Sequence, residues 1–306
     1  MAIKKKLFIL RHFLIEIIVT FKNIGFYEGL LVTKYRLLRS LYLNRNLKIS
    51  KKYNRYNHIT KNLRSKGFSS LKNIEKSQVK ELLNQYKLKF KENYDRNFNE
   101  FIKDMKIKNI ARGGKCILEP RIELSNIVSQ PYLIEAITEL FGMKINSIAV
   151  RPSCDLLIAP EKIVEYKNKF LSNHTTHDDS LRFHRDLDGH RFLKLFVYLT
   201  DCFEENGNHF YIENSANKFN MNFFLDERLG LEEINKYFGE NSIKIITGKS
   251  GTSFIEDTTG WHSGSIPQIG TRIMLQILFI DKLSSKISSK NRYSPGFIPL
   301  TKFINN

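Results

Sequence analysis

Cysteine is scarce in this 306-residue chain. The three present, Cys116, Cys154 and Cys202, are odd in number and lack metal-type spacing, which argues against a disulfide framework and for a reducing, cytoplasmic compartment. They read as small apolar core residues. A long uninterrupted apolar run is also missing. Lys4-Lys5-Lys6 followed by Leu7-Phe8-Ile9-Leu10 resembles the start of a secretion signal, but Arg11, His12 and Glu16 interrupt it and no small-residue cleavage site follows. The same charges leave no clean membrane span of about 20 residues. Internal repeats and low-complexity linkers are absent as well. With 42% hydrophobic residues, the chain can bury a full core and is no disordered polymer.

Acids are nearly missing from residues 1–72, where Glu16 and Glu28 stand against seventeen Lys and Arg, so that this stretch carries +15 of the total +18. The remainder is nearly neutral. Residues 7–43 show a helical, amphipathic pattern, with Lys34, Arg36, Arg39 and, just beyond, Arg45 set among Leu30, Leu31, Leu37, Leu38, Leu41 and Tyr42. Contact with an anionic membrane surface through residues 1–60, on the inner face of the membrane, suits this pattern. A helix pair packed on the rest of the chain or on a second subunit suits it equally, because periodicity does not distinguish lipid from protein. Nucleic acid ranks behind both: Tyr53, Tyr56 and Phe68 lie among the bases, but no nucleic-acid module is recognisable. The polar stretch 51–66 reads as a connection, dividing a basic helical extension (1–66) from a domain (67–306).

Within that domain, apolar residues recur at helical spacing over residues 77–108, as in Val79, Leu82, Leu83, Tyr86 and Phe90. Ala111-Arg112-Gly113-Gly114-Lys115 is expected to be a turn. A helix follows over 132–141, with Pro131 at its start and Gly142 past its end. Short strands come next, over 145–151 and 156–158, separated by Pro152-Ser153-Cys154. Residues 168–181 form a loop containing His174, His177 and Asp178, which lack the further ligands that zinc would need. In the strand 191–200, Leu193, Leu195, Val197 and Leu199 alternate with Lys194, Phe196 and Tyr198, so one face suits a core and the other a cavity. Lys194 is then a candidate for an anionic group, with an exposed edge lysine as the alternative. Asn206-Gly207 signals a tight hairpin from this strand to His209-Phe210-Tyr211-Ile212, which would bring His209 out beside the cavity. Together these elements predict a mainly β fold with flanking helices: a double-stranded β-helix, the cupin-like jelly roll.

One constellation carries chemistry. His184 and Asp186 stand two apart in an apolar, aromatic setting, and alternate residues of a strand share a face. His262, in Trp261-His262-Ser263-Gly264, can close a three-ligand site with them. Two imidazoles and a carboxylate make the facial triad of non-haem Fe(II) oxygenases, which leaves positions for a 2-oxo acid and O2. Arg272, at the mouth of the apolar run 273–279, can grip a carboxylate with two parallel hydrogen bonds, or instead form a structural ion pair with Asp257 or Asp281. His190 reads as a surface or substrate-contacting residue rather than a fourth ligand.

Phe183-His184-Arg185-Asp186, the strand and turn from Phe192 through Asp201 to Asn206-Gly207, and Trp261-His262-Ser263-Gly264 through Arg272 resemble the phytanoyl-CoA dioxygenase family of Fe(II)/2-oxoglutarate oxygenases. The resemblance spans residues 68–279. It implies that His184, Asp186 and His262 hold Fe(II), that Arg272 binds the distal carboxylate of 2-oxoglutarate, and that Phe196 borders that cosubstrate. Lys194 would meet cosubstrate or substrate. The family's serine two residues after the distal histidine is Gly264 here, so Ser263 and Ser265 are the candidate substitutes. Asn214-Ser215-Ala216 replaces a usual Gly-Ser-His, and Pro267 a usual asparagine. The implied activity is hydroxylation of an unactivated carbon in a small-molecule, glycan-precursor or lipid-linked substrate, with release of succinate and CO2. A carboxylate at position 186 favours hydroxylation over halogenation. The alternatives are desaturation or epimerisation by the same cofactors, or a catalytically silent jelly-roll binding protein.

Overall fold

Polar residues at alternate positions of two long apolar stretches shape this fold, because they turn one face of a sheet onto a cavity and leave the other to pack on helices. The computed structural model describes residues 57–161, 182–186, 188, 191–216, 228–282, 285 and 296–304. The expectations for residues 1–56, for His174, His177 and Asp178, and for His190 lie outside these residues. In chain order the described elements are α1 (Asn57–Lys66), β1 (Phe68–Ser70), α2 (Lys76–Tyr94), α3 (Phe98–Ile107), β2 (Arg112–Ile117), α4 (Ile122–Val128), α5 (Pro131–Phe141), β3 (Ile148–Ile158), β4 (Phe183–His184), β5 (Phe192–Tyr198), β6 (His209–Ile212), β7 (Arg228–Leu229), α6 (Leu231–Phe238), β8 (Ile243–Ile246), β9 (Ser253–Glu256), β10 (His262–Gly264), β11 (Thr271–Asp281), β12 (Ile298–Pro299) and α7 (Thr301–Ile304).

Among the described residues the strands form two antiparallel sheets. The larger runs β1-β9-β5-β11-β3-β12 with β2 also on β3, and the smaller runs β7-β4-β10-β6-β8. This is the expected jelly roll with flanking helices. β3 and β11 pair over eleven residues, from Ile148↔Asp281 to Ile158↔Thr271. Their outward residues, Ile148, Val150, Cys154, Leu156 and Ile158 on β3 and Ile273, Leu275, Ile277 and Phe279 on β11, join Leu193, Leu195, Val197 and Leu199 in one core with α2, α4 and α5. Both β3 and β5 alternate, with Arg151 and Asp155 on β3 and Lys194 and Phe196 on β5 turned to the cavity.

Several local expectations are corrected. The separate strands over 145–151 and 156–158 are one strand, β3, running through Pro152. Pro152 lacks an N–H, yet its carbonyl accepts from Leu118 N at 3.1 Å, so its hydrogen-bonding edge faces away from β11, toward the side where β2 ends and β12 begins. A proline is tolerated on such an edge. Ala111 to Lys115, expected as a turn, instead leads into and forms most of strand β2 (Arg112–Ile117), with a bulge between Gly113 and Cys116. Gly114 sits there at φ +62°, and a Cβ would come within 2.8 Å of the Tyr86 hydroxyl. Asn206-Gly207 does not close a hairpin, since β5 pairs with β9 and β11 whereas β6 pairs with β8 and β10. Gly207, at φ +88°, ends a short 3-10 turn that carries the chain from one sheet to the other. Residues 57–66 are helix rather than connection, with Ile59 and Leu63 buried in the main core. The periodic stretch 77–108 is two helices, α2 ending at Asp95 in the left-handed region and α3 capped by the Asn97 side chain. The helix over 131–141 is as expected, with Gly142 left-handed at its end. No described helix is long and apolar enough to cross a membrane.

Candidate metal centre

The two histidines of the constellation come from adjacent strands of the smaller sheet. β10 lies between β4 and β6, and His262 is the register partner of His184 on one side and Tyr211 on the other. Ring centroids of His184 and His262 are 4.3 Å apart. β4 ends at His184, so Asp186 reaches the site from just beyond the strand rather than from its face. Its backbone N–H is held by Thr258 O at 2.8 Å.

Ligand atoms of His184, Asp186 and His262 all lie within 4.8 Å of one another. His262 Nε2 is 3.4 Å from Asp186 Oδ2, and His184 Nε2 is 3.9 Å from Asp186 Oδ1. Atoms each about 2.1 Å from one ion sit about 3 Å apart when adjacent, so only a small closure is needed. The ring tautomers fit as well. His184 Nδ1 donates to Arg182 O at 2.9 Å and His262 Nδ1 donates to Gly260 O at 3.0 Å. A carbonyl only accepts, so Nδ1 of each ring carries a proton and both Nε2 atoms are turned toward the acid. Burial, followed by the nearby His262, pushes the His184 pKa well below its usual value, which keeps that ring neutral. Burial acts the same way on His262, but the Asp186 charge and hydrogen bond outweigh it and raise its pKa. Burial would raise the pKa of Asp186, yet the Lys194 charge and then His262 hold it well below the usual range, so it remains an anion.

Lys194 is not an exposed edge residue. It sits on central strand β5, is 9% exposed, and pairs with Asp186 at 2.6 Å and Asp188 at 2.8 Å. Those two charges outweigh the burial penalty and raise its pKa. Without a metal, Lys194 therefore occupies the ligand carboxylate.

The site opens into a cavity of roughly 360 Å³ between the sheets. Phe196, Lys194, His209, Ser263 and Arg272 all line it. Arg272 is 3% exposed and pairs with neither Asp257 nor Asp281: Nη1 donates to Asn208 O at 3.2 Å and to Gly207 O, while Nε has no hydrogen-bond partner. A guanidinium that lines a cavity and carries a buried unmet donor fits a carboxylate ligand. Gly264 explains the missing serine, since a Cβ there would lie 3.0 Å from Arg272 Nη2. Of the two candidate substitutes, Ser263 lines the cavity, whereas the Ser265 hydroxyl is bound to Asn208 Oδ1 at 2.5 Å and does not. His209 and Glu256 form a buried pair at 3.0 Å beside the histidines. Burial raises the Glu256 pKa to about 8, and burial together with His262 and Arg272 lowers that of His209, so both are neutral at pH 7.

Sequence reasoning missed a good part of this cavity's lining. Arg112, Lys115, Arg151, Asp155, Asp188, Arg228 and Gln276 also line it. Arg112 donates to Asp155 Oδ2 at 2.6 and 3.0 Å. The signal was present as Arg151, Ser153 and Asp155 at alternate positions, but Pro152 disguised the strand that carries them.

The fold is shared with EctD from S. alaskensis, a structure solved with 2-oxoglutarate and 5-hydroxyectoine, at 13% identity and a TM-score of 0.52 over 78% of this chain and 80% of that one. The non-heme monooxygenase ThoJ is similar at 14% identity and a TM-score of 0.45, covering 73% of this chain and 77% of that one. The non-heme alpha ketoglutarate dependent epimerase SnoN from nogalamycin biosynthesis is similar at 12% identity and a TM-score of 0.43, covering 74% and 82%. No protein-family model and no curated protein sequence matches the chain. Fold and site together define a jelly-roll protein with a His-Asp-His metal site.

Proposed function

We propose that this chain is an Fe(II)- and 2-oxoglutarate-dependent oxygenase that hydroxylates an unactivated carbon, and that it is related to the phytanoyl-CoA dioxygenases. The observation carrying the reading is the triad itself: three ligand atoms within 4.8 Å, with both imidazoles held as Nδ1 tautomers by backbone carbonyls. That donor set, two nitrogens and one oxygen, suits Fe(II) and leaves coordination positions free. When bound, iron with 2-oxoglutarate and O2 supplies an oxidant strong enough to remove hydrogen from an unactivated carbon, releasing succinate and CO2.

The chain's own residues do the rest. Arg272 binds the far carboxylate of the cosubstrate, and buried carbonyls at Gly207 and Asn208 hold its Nη1 in place. Phe196, stacked on Phe254 with centroids 5.1 Å apart, gives the cavity a rigid apolar wall. The neutral His209–Glu256 pair adds no charge beside the metal ligands. Lys194, paired with both Asp186 and Asp188, would keep Asp188 as its partner if Asp186 held a metal.

Anaerobic addition of Fe(II) and 2-oxoglutarate to the purified protein tests this reading. A weak visible charge-transfer band, lost in Asp186→Ala and weakened in Arg272→Ala, is the expected result. Absence of both the band and iron binding in the wild type would move the binding-protein reading to the front.

A further inference from the structure

Two guanidinium groups stand at opposite ends of one inner face of the larger sheet. Arg272 on β11 is the register partner of Leu157, and Arg151 lies six residues away along β3, about 20 Å of strand. Arg151 and Lys194 flank Leu278 from the two neighbouring strands, so Arg151 belongs to the end of the cavity where Asp186 sits.

Arg151 is 8% exposed, and its Nε has no hydrogen-bond partner. Among the described residues no carboxylate pairs with it. Asp186 and Asp188, the acids whose charge it feels, are held by Lys194 at 2.6 and 2.8 Å, and Asp155 is held by Arg112. One contact does fix it: the guanidinium lies over the ring of Phe297, 5.1 Å from the centroid. A guanidinium over an aromatic face can still offer its N–H groups to an oxyanion acceptor. An unmatched buried charge is costly, so a group of this kind calls for an anion.

The charge of the whole cavity points the same way. Six cationic side chains and three carboxylates line it. Fe(II) and the 2-oxoglutarate dianion cancel each other, so a surplus of three positive charges remains for whatever else enters. Lys115, exposed at the mouth, extends the positive edge from Arg151 toward solvent.

We infer that Arg151, with Lys115 beside it, binds an oxyanion carried by the second substrate, a carboxylate or a phosphate ester, and so places that substrate across the metal site from Arg272. The assignment of this anion to a substrate rests on the oxygenase reading; the anion site itself does not.

The test uses the metal-free full-length protein at low ionic strength, titrated with methyl phosphate and with trifluoroacetate and followed by phosphorus and fluorine NMR line broadening. At least one probe is expected to bind, with the dissociation constant rising about tenfold or more in Arg151→Gln. Arg151→Lys should fall between, since it keeps the charge and loses the planar fork, and Lys115→Ala should weaken binding less. Which probe responds distinguishes a phosphate from a carboxylate. Equal binding of both probes by wild type and Arg151→Gln would overturn the assignment; should that variant not fold, equal binding by Arg151→Lys and Lys115→Ala would overturn it instead. The Fe(II)/2-oxoglutarate band is recorded in parallel on the wild type. Arg151-dependent binding without a band sinks the oxygenase reading and leaves the anion site standing, and a band with Arg151-independent binding does the reverse.

Discussion

His184 and His262 are directly opposed residues of neighbouring antiparallel strands, and each donates its Nδ1 proton to a backbone carbonyl two residues earlier in its own chain. The two rings are thus oriented by the sheet and by the peptide backbone, with no other side chain required. This leaves their Nε2 atoms as the groups exposed to a metal.

Removal of either ring should abolish the site without abolishing the fold. His184→Ala and His262→Ala are each expected to lower Co(II) affinity on the order of 100-fold or more, read by calorimetry and by loss of the metal's visible bands. Unchanged cobalt binding in either variant would count against a three-ligand centre.

A metal held by Asp186 would compete with Lys194 for that carboxylate. In Lys194→Met the metal-free protein loses the partner of two carboxylates, Asp186 and Asp188, a defect of about 3–5 kcal/mol for a buried pair broken on one side. The melting temperature without metal should therefore drop, and Co(II) or Zn(II) should restore more of it than in the wild type, because binding neutralises Asp186 again. Equal metal-induced shifts in both proteins would mean that Lys194 and the ion do not share the carboxylate.

Gly264 keeps space open for Arg272. In Gly264→Ala the new methyl, 3.0 Å from Nη2, presses the guanidinium toward the cavity. The expected outcome is a several-fold loss of 2-oxoglutarate affinity with Co(II) affinity unchanged, the two being measured separately. A matching loss of both would place the effect in the strand rather than in the guanidinium.

Glu256 makes stability depend on pH. Its pKa is raised by burial from the ordinary 4.5 to about 8, so between those values the folded chain keeps a proton that the unfolded chain has released. Stability is then fully present below pH ~4.5 and falls as pH rises toward 8, by at most about 1.4 kcal/mol per pH unit. Glu256→Gln keeps a neutral polar partner for His209 and removes the titration. Denaturant melts at pH 5 and pH 8 should show the variant gaining on the wild type as pH rises, and a constant difference would show that Glu256 does not hold its proton.

The candidate metal ligands and Arg272 stood out because metal and carboxylate chemistry restrict the residue types, and their wide spacing matches a jelly roll whose strands return to one end. β5 was legible because its two faces differ, Leu193, Leu195 and Val197 packing on helices while Lys194 and Phe196 face the cavity. β2 and β3 were not: a glycine pair reads as a turn and a proline as a break, and only the elements packed around them show that Gly114 gives way to the Tyr86 hydroxyl and that Pro152 sits where no ladder N–H is needed.

Local sequence thus determined which chemical groups are available, together with the period of the clearest strand, since both depend on residue type and near neighbours. Tertiary structure alone decided the partners. Lys194 with Asp186, Arg112 with Asp155, and Arg272 with the Gly207 and Asn208 carbonyls are separated by 8, 43 and 64 or 65 positions. Register across sheets sets those meetings, and the burial that follows gives Lys194, Glu256 and Arg151 properties that their residue types do not carry.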